Sequence, residues 1–519
     1  MQTLEWLAAK QYSALLSLNL IPEHVCHLST LPEAVKRKIV FYLQNAIGSA
    51  PEPYHQQMLE ELVKRCKIEV SLELTNSNNE NNKELWLNIL KKCRSMNKNG
   101  INLIGLTCKY WEQSLQKYFQ DVNTLQYIDI SGYKYGNADE TMFVIAQSCT
   151  NLTSINLSRC DALTDIGLLA LLEYCKKMKS INLSYVEYIT SKSFLKIIQD
   201  CPNVTSINIK GNTCIEMYSS IQFFEGNQNE DNRNSKRFEL LELNMKQVRG
   251  VSDKQINDIV SRNLNTLQIL KMGDTNFNLN LLNIQNHNIK TLPLQKLDIS
   301  WCEDCDTMQL ISFILKCPNL TSFKSRACEY VTNDVILTLA STCCTLEQVN
   351  ISRCKDITDD AIILLVKNNC KTLKNLDIAW SKCTNESISF ALNYCKLLRI
   401  LNIEGCKSSD VSEIGRLIIQ SPLLKYISMA WINSCDDVWA HKIVAEKNTL
   451  CIVDYYGEEI RGRLYDNGRH MKSQEQLISC DDNMSQKKLV RENNEKLIHE
   501  HTSDLGSDTD YNEYSDDDF

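Results

Sequence analysis

Leu152-Thr-Ser-Ile155-Asn-Leu157-Ser158, then Thr164-Asp165, then Ile166, Leu168, Leu169, Leu171 and Leu172: this stretch states the structural unit of the whole chain. Ile155 and Leu157 alternate with Ser154, Asn156 and Ser158, the period of two expected of a half-buried strand. The short side-chain oxygens of Thr164 and Asp165 suit the first turn of a helix, where backbone amides lack partners. The apolar stripe that follows can be buried only against the strand layer and neighbouring units.

The unit recurs thirteen times, with leading apolar residues Leu125, Leu152, Met178, Val204, Leu240, Leu267, Leu294, Leu320, Leu346, Leu373, Leu398, Leu424 and Leu450. The spacing is about 27 residues, the length of one strand plus one helix and the mark of a solenoid. Thr190-Ser191, Ser252-Asp253, Thr332-Asn333 and Thr358-Asp359 occupy the helix-start slot. Two units depart from the pattern. The step from Val204 to Leu240 is ten residues longer than its neighbours, with a polar stretch from Glu225 to Arg237 that reads as a loop. The unit from Leu267 carries Thr275 where others carry Cys.

Cysteine follows the same period. Cys149, Cys175, Cys201, Cys317, Cys343, Cys370 and Cys395 stand three residues before a leading residue, and Cys160, Cys302, Cys328, Cys354 and Cys406 stand eight after one. Twelve of the 23 cysteines are therefore repeat-structural, which suits a reducing compartment, and the seven that stand three residues before a leading residue are expected to be buried, reduced and metal-free. A zinc reading of Cys302, Cys305, Cys317 and Cys328 is set aside, because the period already accounts for three of the four.

With Leu346-Glu-Gln-Val-Asn-Ile-Ser-Arg-Cys354-Lys-Asp-Ile-Thr358-Asp359 as its clearest copy, the repeat resembles the cysteine-containing class of leucine-rich repeats. The resemblance runs from about Leu125 to Tyr456, roughly two-thirds of the chain. It implies an α/β horseshoe with parallel strands on the concave side and helices outside, and Cys in place of a turn-forming Asn. Ahead of the repeats, Leu31-Pro32-Glu-Ala-Val-Lys-Arg-Lys-Ile39-Val-Phe-Tyr42-Leu43 reads as a helix with Pro near its start, and Leu103-Ile104-Gly-Leu106-Thr-Cys108-Lys-Tyr-Trp111 as an amphipathic helix. Together these two segments resemble the halves of an F-box, separated by an insertion from Gln44 to Asn102.

The order of the two modules is that of F-box leucine-rich-repeat proteins. In that family the F-box docks on the Skp adaptor of a cullin ubiquitin ligase and the repeats capture a protein substrate. Carried over residue by residue, the adaptor contact would use Leu31, Pro32, Ile39, Leu43, Leu106, Cys108 and Trp111. An all-helical cap that covers the open end of the solenoid fits the same segments. The expected organisation is an N-terminal helical segment (1–27), an all-α F-box-like module with its insertion (28–120), thirteen repeats (121–457), and a polar tail (458–519). The last stretch of that tail, Asp504 to Phe519, holds seven acidic residues and no Lys or Arg, a composition expected to be disordered.

Composition narrows the function classes. The net charge is −8, and the longest basic cluster is Lys36-Arg37-Lys38, so nucleic acid is not an expected partner. No apolar run approaches a membrane span and the first residues do not resemble a signal peptide, so cytoplasm or nucleus is expected. No phosphate-binding Gly-rich loop, His-Glu-x-x-His or Gly-x-Ser-x-Gly is present, so neither catalysis nor a cofactor is expected. Two classes remain: a substrate receptor of a ligase, and a repeat scaffold or inhibitor without ligase attachment.

Strand parity gives a candidate binding face. Positions +3 and +5 from the leading residue are core, so +4 and +6 face the concavity and +7 lies at its rim. Position +4 gives a row of Asn156, Asn182, Asn208, Asn350 and Asn402, which a solvated polar face also explains. The rim gives Arg159, Tyr185, Trp301, Arg353, Trp380 and Trp431, and Arg326 joins from +6. Trp and Arg are the side chains most enriched at binding hot spots. The expectation is one patch of Trp301, Arg326, Arg353, Trp380 and Trp431 that binds the partner protein; Trp rings stacked on neighbouring turns are the alternative.

Overall fold

The computed structural model describes residues 68–73, 101–108, 114–120 and 123–461, the last range without 216–238, 249, 283–289, 304, 408–410, 433–434, 448, 454–456 and 458. Within them one sheet of sixteen strands runs in chain order, fifteen parallel and the last antiparallel. The strands are β1 (Ile68–Glu73), β2 (Ile101–Thr107), β3 (Tyr127–Asp129), β4 (Ser154–Asn156), β5 (Ser180–Asn182), β6 (Ser206–Asn208), β7 (Glu242–Asn244), β8 (Ile269–Lys271), β9 (Lys296–Asp298), β10 (Ser322–Lys324), β11 (Gln348–Asn350), β12 (Asn375–Asp377), β13 (Ile400–Asn402), β14 (Tyr426–Ser428), β15 (Cys451–Val453) and β16 (Glu459–Arg461). The helices are α1 (Gln116–Phe119), α2 (Ala138–Ser148), α3 (Asp165–Tyr174), α4 (Ser191–Asp200), α5 (Asp253–Asn263), α6 (Thr307–Ile314), α7 (Asn333–Thr342), α8 (Asp359–Asn369), α9 (Asn385–Tyr394), α10 (Val411–Gln420) and α11 (Asp437–Glu446).

The thirteen strands expected from the sequence are β3 to β15. Their central residues pair laterally, Ile155 with Ile181 and Ile207, then Leu297 through Phe323, Val349, Leu376 and Leu401 to Ile427. All are buried, so each strand continues the apolar row of the one before. The last unit is one residue shorter on its way into the strand: Ile452, the centre of β15, stands two residues after Leu450 and pairs with Ile427. The antiparallel β16 then covers the open edge of β15, which limits strand addition by another chain.

The segment expected as the second F-box helix is different. Ile101–Thr107 is a strand, hydrogen-bonded to β1 on one side and to β3 on the other. Leu106 pairs with Ile128, and both Leu106 and Cys108 are fully buried in the solenoid core. The spacing Leu103-x-x-Leu106-x-Cys108 satisfies both a helical stripe and the leading, +3 and +5 positions of a repeat. The strand wins because the free edge of β3 offers a ladder to pair with. Strands β1 and β2 also correct the all-α reading of the region before Leu125. Leu31, Pro32, Ile39, Leu43 and Trp111 lie outside the described residues, as do the 225–237 stretch and the acidic tail.

The helices bury the face the period demands, with one local exception. Leu168, Leu171 and Leu172 are in the core, whereas Ile166 is 64% exposed. Gly167 takes the inward position at the first turn instead: a Cβ there would stand 2.4 Å from Asp139 Oδ1. That carboxylate is in use, since Thr164 donates to it through its amide (3.0 Å) and its hydroxyl (2.6 Å). Thr190 binds Asp165 in the same way, and Thr384 binds Asp359. The Thr-Asp pair therefore starts its own helix with Thr and brackets the next repeat with Asp. The unit from Leu267 has a 3-10 turn at Leu279–Leu282 in place of an α-helix among its described residues.

The cysteines form two ladders. Those at +8 donate to the +5 carbonyl of the preceding repeat: Cys160 to Ile130 (3.3 Å), Cys302 to Met272 (3.2 Å), Cys328 to Ile299 (3.2 Å), Cys354 to Ser325 (3.1 Å) and Cys406 to Ile378 (3.2 Å). Asn212, in the same slot, donates to Leu183 O at 3.0 Å, which shows what the thiol replaces. Burial pushes the thiols of Cys160, Cys328 and Cys406 up to about 12. The helix-end row is buried at Cys149, Cys175, Cys201, Cys317, Cys343 and Cys395 but only half-buried at Cys370. Asn369 replaces Cys370 in the core, four residues before its leading Leu373, accepting from Leu346 N (3.0 Å) and donating to Leu365 O (3.2 Å). Asn263 does the same at the end of α5.

Candidate functional site

The C-terminal ends of the parallel strands carry a repeated turn. At position +7 the backbone is left-handed in every unit from Gly132 to Trp431, with φ between 56° and 71°. Three of these twelve positions are Gly (Gly132, Gly211 and Gly405). The other nine include Arg159, Tyr185, Trp301, Arg353, Trp380 and Trp431, where a side chain in this region costs about 1–2 kcal/mol.

Two sets of bonds hold the turn. The +4 side chain accepts from the +6 amide: Asn156 from Ser158, Asn182 from Ser184, Asn208 from Lys210, Asn350 from Ser352 and Asn402 from Glu404, all at 3.1 Å. The +7 amide donates to the next repeat, as from Trp301 to Arg326 O (2.9 Å) and from Trp380 to Glu404 O (2.7 Å). The Asn row is thus a turn-forming device as well as a polar face.

Every rim residue expected from the sequence sits on this row, and the structure sorts them into three clusters. In the first, the Tyr185 ring lies across Gly211, where a Cβ would stand 2.3 Å from the ring, and its hydroxyl donates to Gln247 Oε1 at 3.1 Å. Arg159 and Lys210 each lie 5.2 Å from the Tyr185 ring centroid. In the second, the Arg326 guanidinium stands 5.9 Å from the Trp301 centroid. In the third, Trp380 lies across Gly405, whose Cβ would stand 2.6 Å from the ring, and meets Trp431 with centroids 6.2 Å apart. Arg353 is exposed on the same row between the second and third clusters. The expected single patch is therefore two ring clusters with Arg353 between them. Trp380 does stack on a neighbouring turn, yet Trp301, Trp380 and Trp431 remain 43%, 40% and 45% exposed.

Sequence reading missed the floor beside the second cluster. Position +4 departs from Asn at Asp129, Lys271, Asp298, Lys324, Asp377 and Ser428, and of these Lys271, Asp298 and Lys324 are lateral partners on β8, β9 and β10. Lys246 crosses one repeat to reach Asp298 at 3.2 Å, over Gly273, where a Cβ would stand 3.1 Å from Lys246 Cε. Asp298 also accepts from Ser300 through amide (3.1 Å) and hydroxyl (2.8 Å). Burial works against its charge, but Lys246, Lys324 and the Ser300 bonds prevail and its carboxyl is held below the usual range. Desolvation lowers Lys271 and Lys324 from the ordinary lysine value. Farther along, Asp377 is pushed up to about 6 by burial, against the Ala379 amide it accepts from and the Arg326 charge nearby. The signal was present in the sequence, in the positions where the Asn row is broken.

Among the described residues no group of three or more His, Cys, Asp or Glu side chains could hold a metal, and no helix is long and apolar enough to cross a membrane. The surface offers recognition by aromatic, guanidinium, ammonium and carboxylate groups along an open concave edge.

The family comparison agrees with the repeat. The leucine-rich-repeat family matches at residues 148–172 and 342–366. Similar solved structures include a chain of the Rad7 and Elc1 complex in yeast, with 17% identity and a TM-score of 0.49 over 83% of this chain and 94% of that one. They also include an internalin, InlF, from Listeria monocytogenes, with 14% identity and a TM-score of 0.40 over 77% and 96% of the two chains. A chain of the TLR13–ssRNA13 complex matches with 12% identity and a TM-score of 0.36, over 80% of this chain and 51% of that one. With its family matches on two of the units and fifteen parallel strands in chain order, this chain is a leucine-rich-repeat solenoid.

Proposed function

We propose that this chain is a non-catalytic substrate-recognition subunit of an SCF-type (Skp–cullin–F-box) ubiquitin ligase. Its concave edge captures a protein substrate, and its N-terminal segment binds the Skp adaptor and through it the cullin. The observation that supports capture is the rim row: three half-exposed tryptophans on left-handed backbone, a conformation that costs stability and gives the core nothing. Adaptor docking rests on the F-box resemblance of Leu31-Pro32 and Ile39-x-x-Tyr42-Leu43. Leu106 and Cys108, as core residues, take no part in it.

The strand at Ile101–Thr107 favours a second reading, a repeat scaffold or inhibitor without ligase attachment, because it gives half of the resemblance to the solenoid. Co-purification separates the two. The first reading expects the full chain to retain a Skp adaptor and a variant with Leu31→Ala and Pro32→Ala to lose it while its repeats stay folded. A wild-type chain that retains no Skp adaptor leaves the scaffold reading.

A further inference from the structure

At β8 to β10 the floor departs from the turn-forming Asn row: Asp298 still accepts from the +6 amide, that of Ser300, but Lys271 and Lys324 have no side-chain acceptor to offer it. Asn at +4 would complete the turn without charge, as it does at Asn208 and Asn350. Instead one carboxylate, Asp298, faces the ammonium groups of Lys246, Lys271 and Lys324, with Lys296 exposed at the start of β9. Glu242 acts on Lys271 and Asp377 on Lys324 from the two sides; with Lys296 and Arg326 counted, five cations stand against three carboxylates, a local positive excess in a chain whose net charge is −8. The lysines are partly buried, so their charge is screened less than that of a surface lysine. Trp301, at the C-terminal end of β9, stands beside this floor with Arg326 over its ring.

We propose that this floor seats an oxyanion, a carboxylate or phosphate carried on a segment of the captured protein, with Trp301 and Arg326 as its wall. The inference rests on the capture half of the reading above and adds the chemistry of what is captured. The occupant is a protein segment rather than a nucleic acid because the positive region spans only three strands, about 10 Å across the sheet. Carboxylates bound it on both sides, Glu242 on β7 and Asp377 on β12. A continuous polyanion laid along the concavity would meet them, whereas a single acidic side chain would not.

The test is fluorescence anisotropy of the full chain with three labelled fifteen-residue peptides that are identical except for a central phosphoserine, Asp or Asn beside a Tyr. Both anionic peptides are expected to bind at least tenfold more tightly than the Asn peptide, with affinity that falls as NaCl rises. A phosphoserine preference of tenfold or more assigns a phosphate, and equal affinities assign a carboxylate. The Lys271→Gln, Lys324→Gln double variant is expected to abolish the preference. Should that variant fail to fold, Lys296→Gln at its exposed site is expected to weaken the anionic peptides about threefold, while the distant Lys355→Gln changes nothing. Equal binding of all three peptides, no binding of either anionic one, or an unchanged preference in folded lysine variants overturns the proposal. Tighter binding of a single-stranded RNA of the same length overturns the choice of a protein segment. Adaptor co-purification from the same preparations reports on the ligase reading separately: loss of the adaptor with retained peptide preference removes the ligase and keeps the oxyanion seat.

Discussion

Two stretches of one concave edge, β8 to β10 and β12 to β14, share a backbone and differ in chemistry. Both place +4 side chains on the floor and +7 side chains on left-handed turns at the rim. In the first, a lysine from two repeats away reaches an aspartate over Gly273. In the second, a tryptophan reaches its neighbour over Gly405. In each case a glycine clears the path for a long side chain to cross a repeat, so cross-repeat reach is set by where a Cβ is missing. The repeat fixes the geometry, and the departures from it carry the specificity.

The sharpest way to break this comparison is to fill the glycine. Gly405→Val is expected to cost about 3 kcal/mol in denaturant unfolding, because a branched side chain would adopt φ +64° and overlap the Trp380 ring. Trp380→Ala in the same chain should recover part of that cost, and a strictly additive double variant would show that the ring does not depend on the glycine.

Next in size is the buried carboxylate on the floor of the tryptophan stretch, at the end of β12. Asp377 titrates near 6 when folded and near 3.8 when unfolded, so its ionisation opposes folding as pH rises from about 4 to 6. Asp377→Asn should therefore stabilise the protein by about 1–3 kcal/mol at pH 7.5, with the gain shrinking to nothing near pH 4. Part of the gain is offset because Asn350 Nδ2 now donates to the carboxylate at 2.9 Å. A gain that is independent of pH would place the penalty in packing rather than in charge.

The cysteine ladders sharpen the comparison on the core side. Cys354→Ser should cost about 1–3 kcal/mol, since the smaller hydroxyl leaves a gap in a fully buried site and sits farther from Ser325 O, to which the thiol donates. Cys370→Ser should cost less than about 0.5 kcal/mol, because that residue is half-buried and Asn369 fills the inward position. Equal costs at the two sites would mean that Cys370, and not Asn369, fills the inward position.

How much of this was legible in the sequence depends on whether a residue's role lies within one repeat or between repeats. Strands β3 to β15 were legible because +3 and +5 are apolar in copy after copy. Strand β2 was not, since Leu103-x-x-Leu106 fits a helix as well as a repeat and only the unpaired edge of β3 decides between them. The rim row was legible by counting, but its left-handed backbone was not, because just three of its twelve residues are glycine. Asp165 read as a helix-start residue; its bonds to Thr190 of the following repeat needed the stacked structure. The charged floor went unseen because the repeats were compared for what they share, and Lys271, Asp298 and Lys324 are what they do not.

The central claim, that the left-handed rim is kept for capture and not for stability, has a direct test in paired measurements on Trp380→Ala, Arg353→Ala. Partner capture by the full chain should weaken by about 2 kcal/mol or more while the melting temperature and adaptor retention stay at wild-type values. Unchanged capture, or a fall in melting temperature that accounts for the loss, would contradict it.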